Sequence, residues 1–263
     1  MNKKLYLMAI SALILLGCQN QSAPEFGSMT DERDGTVYKT IKIGEQTWFA
    51  ENLKTTQYKD GSDIPLGHGV DLQALSEEER VFYFNPNADE NNVETYGRLY
   101  SYAAAIKGIC PVGWRVSTDV DWIVMEMELG MSVEEVLGHH FNHSRGADLA
   151  PKLMATSEFW PESFGTNETG FNILPAGYKT LGEGNHPSYA YFGERAYFLT
   201  NSRGPEGVYY NGTRPLDRVI RRNFELGNIA INRDSNIPFG YGFSVRCVEG
   251  DYFPAEQQNP QAD

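Results

Sequence analysis

Three cysteines constrain this chain more tightly than any other residue type. Cys18 closes an apolar leader, Cys110 opens the segment Cys-Pro-Val-Gly-Trp, and Cys247 ends Phe-Ser-Val-Arg-Cys. Once the leader is set aside, Cys110 and Cys247 are an even pair of thiols, and outside the cytoplasm an even pair favours a disulfide. The bridge would join the region before the central helix to the last strand. By the chain-entropy argument, closing a loop of more than about 100 residues is worth on the order of 5 kcal/mol. Two buried free thiols are the alternative.

Export is expected from residues 1–18. Lys3 and Lys4 precede an apolar run from Leu5 to Leu16, and the small Gly17 stands before Cys18. These are the parts of a secretory signal. The run is short for a bilayer-spanning helix, which needs roughly 20 apolar residues. Leu15-Leu16-Gly17-Cys18 resembles the lipobox of bacterial lipoproteins, in which the signal is cut before a cysteine that carries a diacylglycerol. An ordinary signal peptide with an incidental cysteine and a transmembrane anchor are the competing readings. At about 0.8 kcal/mol per buried methylene, two or three acyl chains such as palmitate would hold a protein on a membrane stably. Residues 19–30, polar and rich in small side chains, read as a flexible tether. Gln19 supplies no aspartate signal for inner-membrane retention, so the expected address is the outer membrane. The side of that membrane is left open.

The mature part is acidic. Without Lys3 and Lys4, 20 basic residues face 35 acidic ones. That balance excludes nucleic acid as a partner, because phosphates demand a basic surface. It also argues against docking of the domain itself on an anionic membrane face. Aromatic residues at 13% and 26 glycines point to a loop-rich fold with short strands. The tail 251–263 lacks apolar periodicity and is expected to be disordered.

Local pattern then places elements. Thr36 to Ile43 alternates, reaches Gly44-Glu45 and resumes at Gln46 to Phe49, a β-hairpin signature. Residues 58–95 are polar, with Val81-Phe82-Tyr83-Phe84 as a strand-like island. Tyr96 to Ile106 presents Leu99, Ala103 and Ile106 at helical spacing, with Gly108 as its stop. Thr118 and Asp121 have the form of a capping box for a helix carrying Trp122, Met125 and Leu129 on one face. Ser132 and Glu135 repeat the device for a helix ending near Gly138. Strands are expected at Ala196–Thr200, Val219–Leu226 and Gly242–Val248. The class is α+β, with short twisted antiparallel strands and two or three helices.

Several ordered blocks resemble the Fibrobacter succinogenes major paralogous domain. They are Asp34-Gly35 with Tyr38 through Leu53, Tyr96-Gly97-Arg98-Leu99-Tyr100, Cys110-Pro111-Val112-Gly113-Trp114-Arg115, Gly170-Phe171 with Leu174-Pro175-Ala176-Gly177-Tyr178, and Ser244-Val245-Arg246-Cys247-Val248. The resemblance covers about 31–250. Arg115-Val116-Ser117 and Leu199-Thr200-Asn201-Ser202 depart from the family's usual His-Leu-Pro-like and Trp-Ser-Ser segments. A more distant similarity, through the Gly-Trp-Arg…Trp helix and the Val-Arg-Cys strand, implies a C-type-lectin-like fold of the kind found in formylglycine-generating enzymes. Those enzymes use two cysteines close together, whereas Cys110 and Cys247 are far apart in sequence. The resemblance therefore implies no oxidase chemistry.

Other constellations carry less. His139 and His143 would share a helical face, but Gly138 ends that helix, and an exposed loop is expected rather than a zinc site. Glu77-Glu78-Glu79, Asp89-Glu90 and Glu134-Glu135 read as solvated surface, although a glycosidase would need some such carboxylate pair across a cleft. No catalytic residue and no metal ligand is assigned. Asp89, Asn91 and Asn92 could offer oxygens to calcium, the one cofactor the lectin-like similarity leaves open. Arg218 and Arg222 share a strand face, with Arg221 opposite, and serve either internal ion pairs or a ligand. Tyr189, Tyr191, Tyr197, Tyr209 and Tyr210 crowd the same half of the chain, where they serve either the core or a recognition surface. The leading expectation is a non-enzymatic, lipid-anchored envelope protein recognising a glycan or another envelope protein through its loops between Tyr189 and Asn236. A carbohydrate-active enzyme and a structural subunit of a surface assembly are the alternatives.

Overall fold

Alternation and a glycine turn build the first hairpin as expected. In the computed structural model, which describes residues 23–137, 144–156, 158–160, 165–182, 188–203, 218–238 and 240–251, strand β2 (Val37–Ile43) returns as β3 (Gln46–Phe49). Ile43 pairs with Gln46 across the two-residue turn, and Gly44 takes the left-handed φ of 58° that this turn requires. The leader with Cys18, the histidines 139, 140 and 143, Tyr209, Tyr210 and the tail beyond Asp251 lie outside the described residues, as does the side chain of Arg218.

One boundary moves. The last part of the expected tether is a strand, β1 (Phe26–Thr30), paired antiparallel along β2 from Phe26↔Ile41 to Thr30↔Val37. Polar and small residues can make an edge strand when the neighbouring ladder satisfies their backbone groups.

The chain continues through β4 (Tyr83–Phe84), α1 (Val93–Tyr96), β5 (Leu99–Ser101), α2 (Tyr102–Ile106), β6 (Trp114–Val116), α3 (Asp119–Glu128), α4 (Val133–Leu137), β7 (Ser144–Arg145) and α5 (Ala150–Leu153). It then forms β8 (Tyr178–Lys179), β9 (Tyr189–Ala190), β10 (Arg195–Arg203), β11 (Arg218–Glu225), β12 (Ile231–Pro238), β13 (Gly242–Ser244) and β14 (Cys247–Glu249). The result is α+β, sheet-dominated, with five α-helices among the described residues rather than two or three. Among the described residues only α3 is longer than five residues. The helix expected over Tyr96–Ile106 divides: Gly97 stops α1 at φ 73°, Leu99–Ser101 pairs with β13 and β4, and only Tyr102–Ile106 is helical. Helical spacing of three apolar residues could not reveal that strands waited on both sides.

Two sheets result. One runs β1-β2-β3-β14-β6; the other has nine strands along β4-β5-β13-β10-β11-β12-β7, with β8 on β13 and β9 on β8. Helix α3 closes one core. Its capping box forms as expected, with Thr118 Oγ1 accepting from Asp121 N and Asp121 Oδ2 accepting from Thr118 N. Trp122 is fully buried, with its ring 5.3 Å from Trp48, 5.6 Å from Phe171 and 5.5 Å from Phe198. Met125 joins it, whereas Leu129 is only partly buried. A second core holds Tyr38, Phe49, Tyr100, Tyr197 and Phe243 around the disulfide.

That disulfide is present: Cys110 and Cys247 are bonded, their Cα atoms 6.0 Å apart. The strand expected at Gly242–Val248 is two strands, β13 in the larger sheet and β14 in the smaller. Between them Arg246 is completely buried. Its guanidinium donates to Phe49 O at 2.9 Å, Phe171 O at 2.8 Å, Asn172 O at 3.1 Å and Asn52 Oδ1 at 2.8 Å. It also stacks 4.6 Å from the Phe171 ring. Burial pushes this group down to about 9, so it keeps its charge at neutral pH. The Val-Arg-Cys block thus ties both sheets together.

Candidate functional site

Strand β11 sends its arginines to opposite faces, as alternation requires. Arg222 faces α3, where Asp119 and Glu126, seven residues apart, share a side of the helix. Arg222 Nη1 donates to Asp119 Oδ1 at 2.7 Å and Nε to Glu126 Oε1 at 2.6 Å. Arg233 also binds Asp119, and Arg145 Nη2 binds Glu126 at 3.1 Å. Arg222 is wholly buried in this network. It therefore leaves the set of candidate ligand-binding residues, because its donors are committed to α3.

The network has a pH signature. Burial opposes the charge of Asp119, but the Arg222 and Arg233 guanidiniums outweigh it and hold this carboxyl down to about 2. Its depressed value stabilises the fold fully above the unfolded value of about 3.9, and that contribution disappears as the pH falls through about 2. The component is worth about 2 kcal/mol. Urea denaturation of the parent chain from about pH 5 to 2 should show it as a fall in stability. Asp119→Asn should be less stable at neutral pH and should lack this part of the slope; an unchanged slope would refute the assignment.

The other face of β11 meets the tyrosines. Tyr178 on β8 is the centre of a cluster, its ring 5.7 Å from Tyr241, 6.0 Å from Tyr191 and 5.7 Å from Phe243, all stacked. Tyr197 on β10 meets Tyr178 edge-on at 4.8 Å. Arg195 lies 4.2 Å from the Tyr191 ring centroid, and Arg221 lies 4.8 Å from that of Tyr197. Burial pushes the hydroxyls of Tyr178 and Tyr197 up, so both stay protonated at neutral pH. Arg195 bonds Glu225 on the neighbouring strand, and Arg221 Nη2 bonds Asp234 at 2.7 Å.

A close backbone approach positions this cluster. Gly177 has φ 62°, and a Cβ there would lie 2.4 Å from Ala190 O and 2.7 Å from Phe192 N. Only glycine lets the Ala190–Phe192 segment lie against it. Tyr191 at the crest takes a left-handed φ of 58° and is 40% exposed, while its carbonyl accepts from Glu194 N and Arg195 N. A bulky residue rarely adopts this conformation, and such strain persists where the surroundings over-determine it.

Of the expected tyrosines, the structure brings Tyr191 and Tyr197 into this cluster. Tyr189 lies on β9 opposite Lys179, half-buried, with its hydroxyl unpartnered and pushed up to about 12 by burial. Sequence reasoning missed Tyr178, Tyr241 and Arg195; it noted Arg221 as the residue opposite Arg218 and Arg222 but did not place it beside the tyrosines. The glycine before Tyr178 and those flanking Tyr241 were the available signal, since aromatic residues beside glycine recur where backbones approach closely. Asp89 caps a short turn by accepting from Asn91 N at 2.9 Å. Among the described residues no group of three His, Cys, Asp or Glu side chains is arranged to hold a metal. Among the same residues no helix is long and apolar enough to cross a membrane.

No curated protein and no solved structure matches this chain. The pattern of the Fibrobacter succinogenes major domain does match, over residues 41–249. That span holds the hairpin turn, α3, the disulfide, the Arg246 tie and the whole tyrosine cluster, and the chain belongs to the Fibrobacter succinogenes major domain family.

Proposed function

We propose that this domain is a non-enzymatic recognition module of the bacterial cell envelope, with a C-type-lectin-like fold and a glycan as its ligand. One observation carries the reading: Tyr191, exposed and held in a left-handed backbone conformation, crowns a preformed cluster of tyrosines flanked by two arginines. Tyrosine offers an apolar face and a polar tip with little side-chain entropy to lose on binding. Backbone strain at an exposed aromatic is the kind of feature that marks a ligand site. The acidic composition is consistent with an uncharged partner. The Leu15-Leu16-Gly17-Cys18 leader supports anchoring through a lipid on Cys18, with the outer membrane as the address.

A glycan array probed with the purified chain tests the reading. Binding to a defined set of sugars is expected, and Tyr191→Ala should weaken it by roughly tenfold or more, as loss of a central aromatic contact does. The thermal midpoint should fall by only a few degrees, because the ring packs on Tyr178 and Arg195 from one side and is 40% exposed. Absence of any array binding, or full binding by Tyr191→Ala, would overturn it.

A further inference from the structure

Beside the tyrosines, the buried polar groups of β11 are incompletely satisfied. Arg221 and Asn223 stand two positions apart on this strand and so project from one face. Both neighbour the same tyrosine: Arg221 lies over the rings of Tyr197 and Phe243, and Asn223 is the cross-strand partner of Tyr197. Arg221 is 7% exposed and Asn223 8%. Asp234 occupies only the Nη2 of Arg221, while Nε and Nη1 are buried without a partner, as is Asn223 Oδ1. An unmet buried donor or acceptor costs about 1–3 kcal/mol, and folded proteins keep few of them. Here two donors and one acceptor lie unmet on one strand face, against the tyrosines of the candidate site.

Charge and geometry narrow what would satisfy them. Arg221 is balanced by Asp234 and Arg195 by Glu225, so among the described residues these two arginines bring no surplus positive charge to draw an anion into an acidic chain. A carboxylate would suit Arg221 but set its oxygen against Asn223 Oδ1. A lone hydroxyl or water must sit within reach of both residues, whose backbones are roughly 7 Å apart on the strand. A secondary amide separates its acceptor from its donor and carries no charge. We infer that the Arg221–Asn223 face receives the acetamido group of an N-acetylated sugar. Arg221 donates to the amide oxygen, Asn223 Oδ1 accepts from its N–H, and the tyrosines pack against the methyl and the sugar ring. The inference rests on the glycan-recognition reading and names the sugar class.

Chitotetraose and cellotetraose share one β-1,4-linked backbone and differ in the acetamido groups, so titrating both into the full chain in mild detergent isolates the amide. Chitotetraose should bind roughly tenfold or more tightly than cellotetraose, as expected for a site built around buried polar groups. Asn223→Leu should lose that preference while keeping or raising the thermal midpoint, since it removes an unmet acceptor. Should the leucine variant fail to fold, Asn223→Asp gives Arg221 an internal carboxylate and should abolish the preference in the same way. Equal binding of the two sugars, or undiminished preference in the folded variant, overturns the acetamido assignment. So does binding of neither sugar while another array glycan binds; the unmet groups would then hold water, and the broader reading would survive. A chain that binds no array glycan at all loses both.

Discussion

Replacing Cys110 and Cys247 together with serine should lower the thermal midpoint by roughly 10–20 °C. The bridge spans 137 residues, and the chain-entropy argument gives about 5 kcal/mol for a loop of that size. For a domain of 150–250 residues each kcal/mol moves the midpoint by roughly 2–4 °C. Two features make the site unforgiving. Cys247 is fully buried and lies on β14, the strand that joins β3 to β6 in the smaller sheet. Cys110 sits in the same core as Phe49 and Tyr100, so a serine hydroxyl at either position would enter an apolar environment. Differential scanning calorimetry of the double variant, beside the parent under oxidising and reducing conditions, provides the measurement. Reduction of the parent should reproduce most of the shift. A double variant within a few degrees of the parent would mean that the unfolded chain is already compact enough to make the cross-link redundant.

The second large effect is expected at Arg246. Arg246→Met preserves much of the side-chain volume but removes every donor. Phe49 O, Phe171 O, Asn172 O and Asn52 Oδ1 all lose bonds that Arg246 supplies. With about 1–3 kcal/mol for each unsatisfied buried group, and incomplete additivity within one cluster, the loss should be about 3–5 kcal/mol. Against a total stability of about 5–15 kcal/mol, that is enough to leave a large unfolded population in a marginal domain. Arg246→Lys should recover little, because one ammonium cannot reproduce a planar fork that reaches carbonyls in two directions. Urea denaturation of both variants checks this. Near-parent stability in Arg246→Met would show that water enters and replaces the guanidinium, and the tie between the sheets would lose its significance.

These two positions also show what kinds of information a sequence carries. The disulfide was legible because so few thiols remained once Cys18 was assigned to the leader. Arg246 was not. Phe243 through Val248 reads as one strand, and no local signal says that the chain leaves one sheet and enters another at a buried arginine. Its partners lie at 49, 52, 171 and 172, so the motif acquires meaning only when distant backbone carbonyls converge on it.

The candidate site divides in the same way. Tyr191 and Tyr197 stood out as part of an aromatic-rich stretch, but Tyr178 on β8 and Tyr241 just before β13 were joined to them by sheet pairing. Arg218 and Arg222 drew attention as one strand face, and the strand reading was sound. What would cover each face depended on distant elements: Asp119 and Glu126 of α3 claim Arg222, while Arg221 lies over Tyr197 and Phe243 of the second core.

Near neighbours settle the alternation and glycine of the first hairpin and the capping boxes at Thr118 and Ser132; the disulfide, spanning 137 residues, was legible only from the small number of thiols. Only long-range packing shows what covers each face of β11, where β13 gives way to β14, and that residues 26–30 form an edge strand. The difference is one of range. Capping bonds and side-chain periodicity act over a few residues, whereas burial, ion pairing and close backbone approach are settled by whichever distant segments the sheets bring into contact.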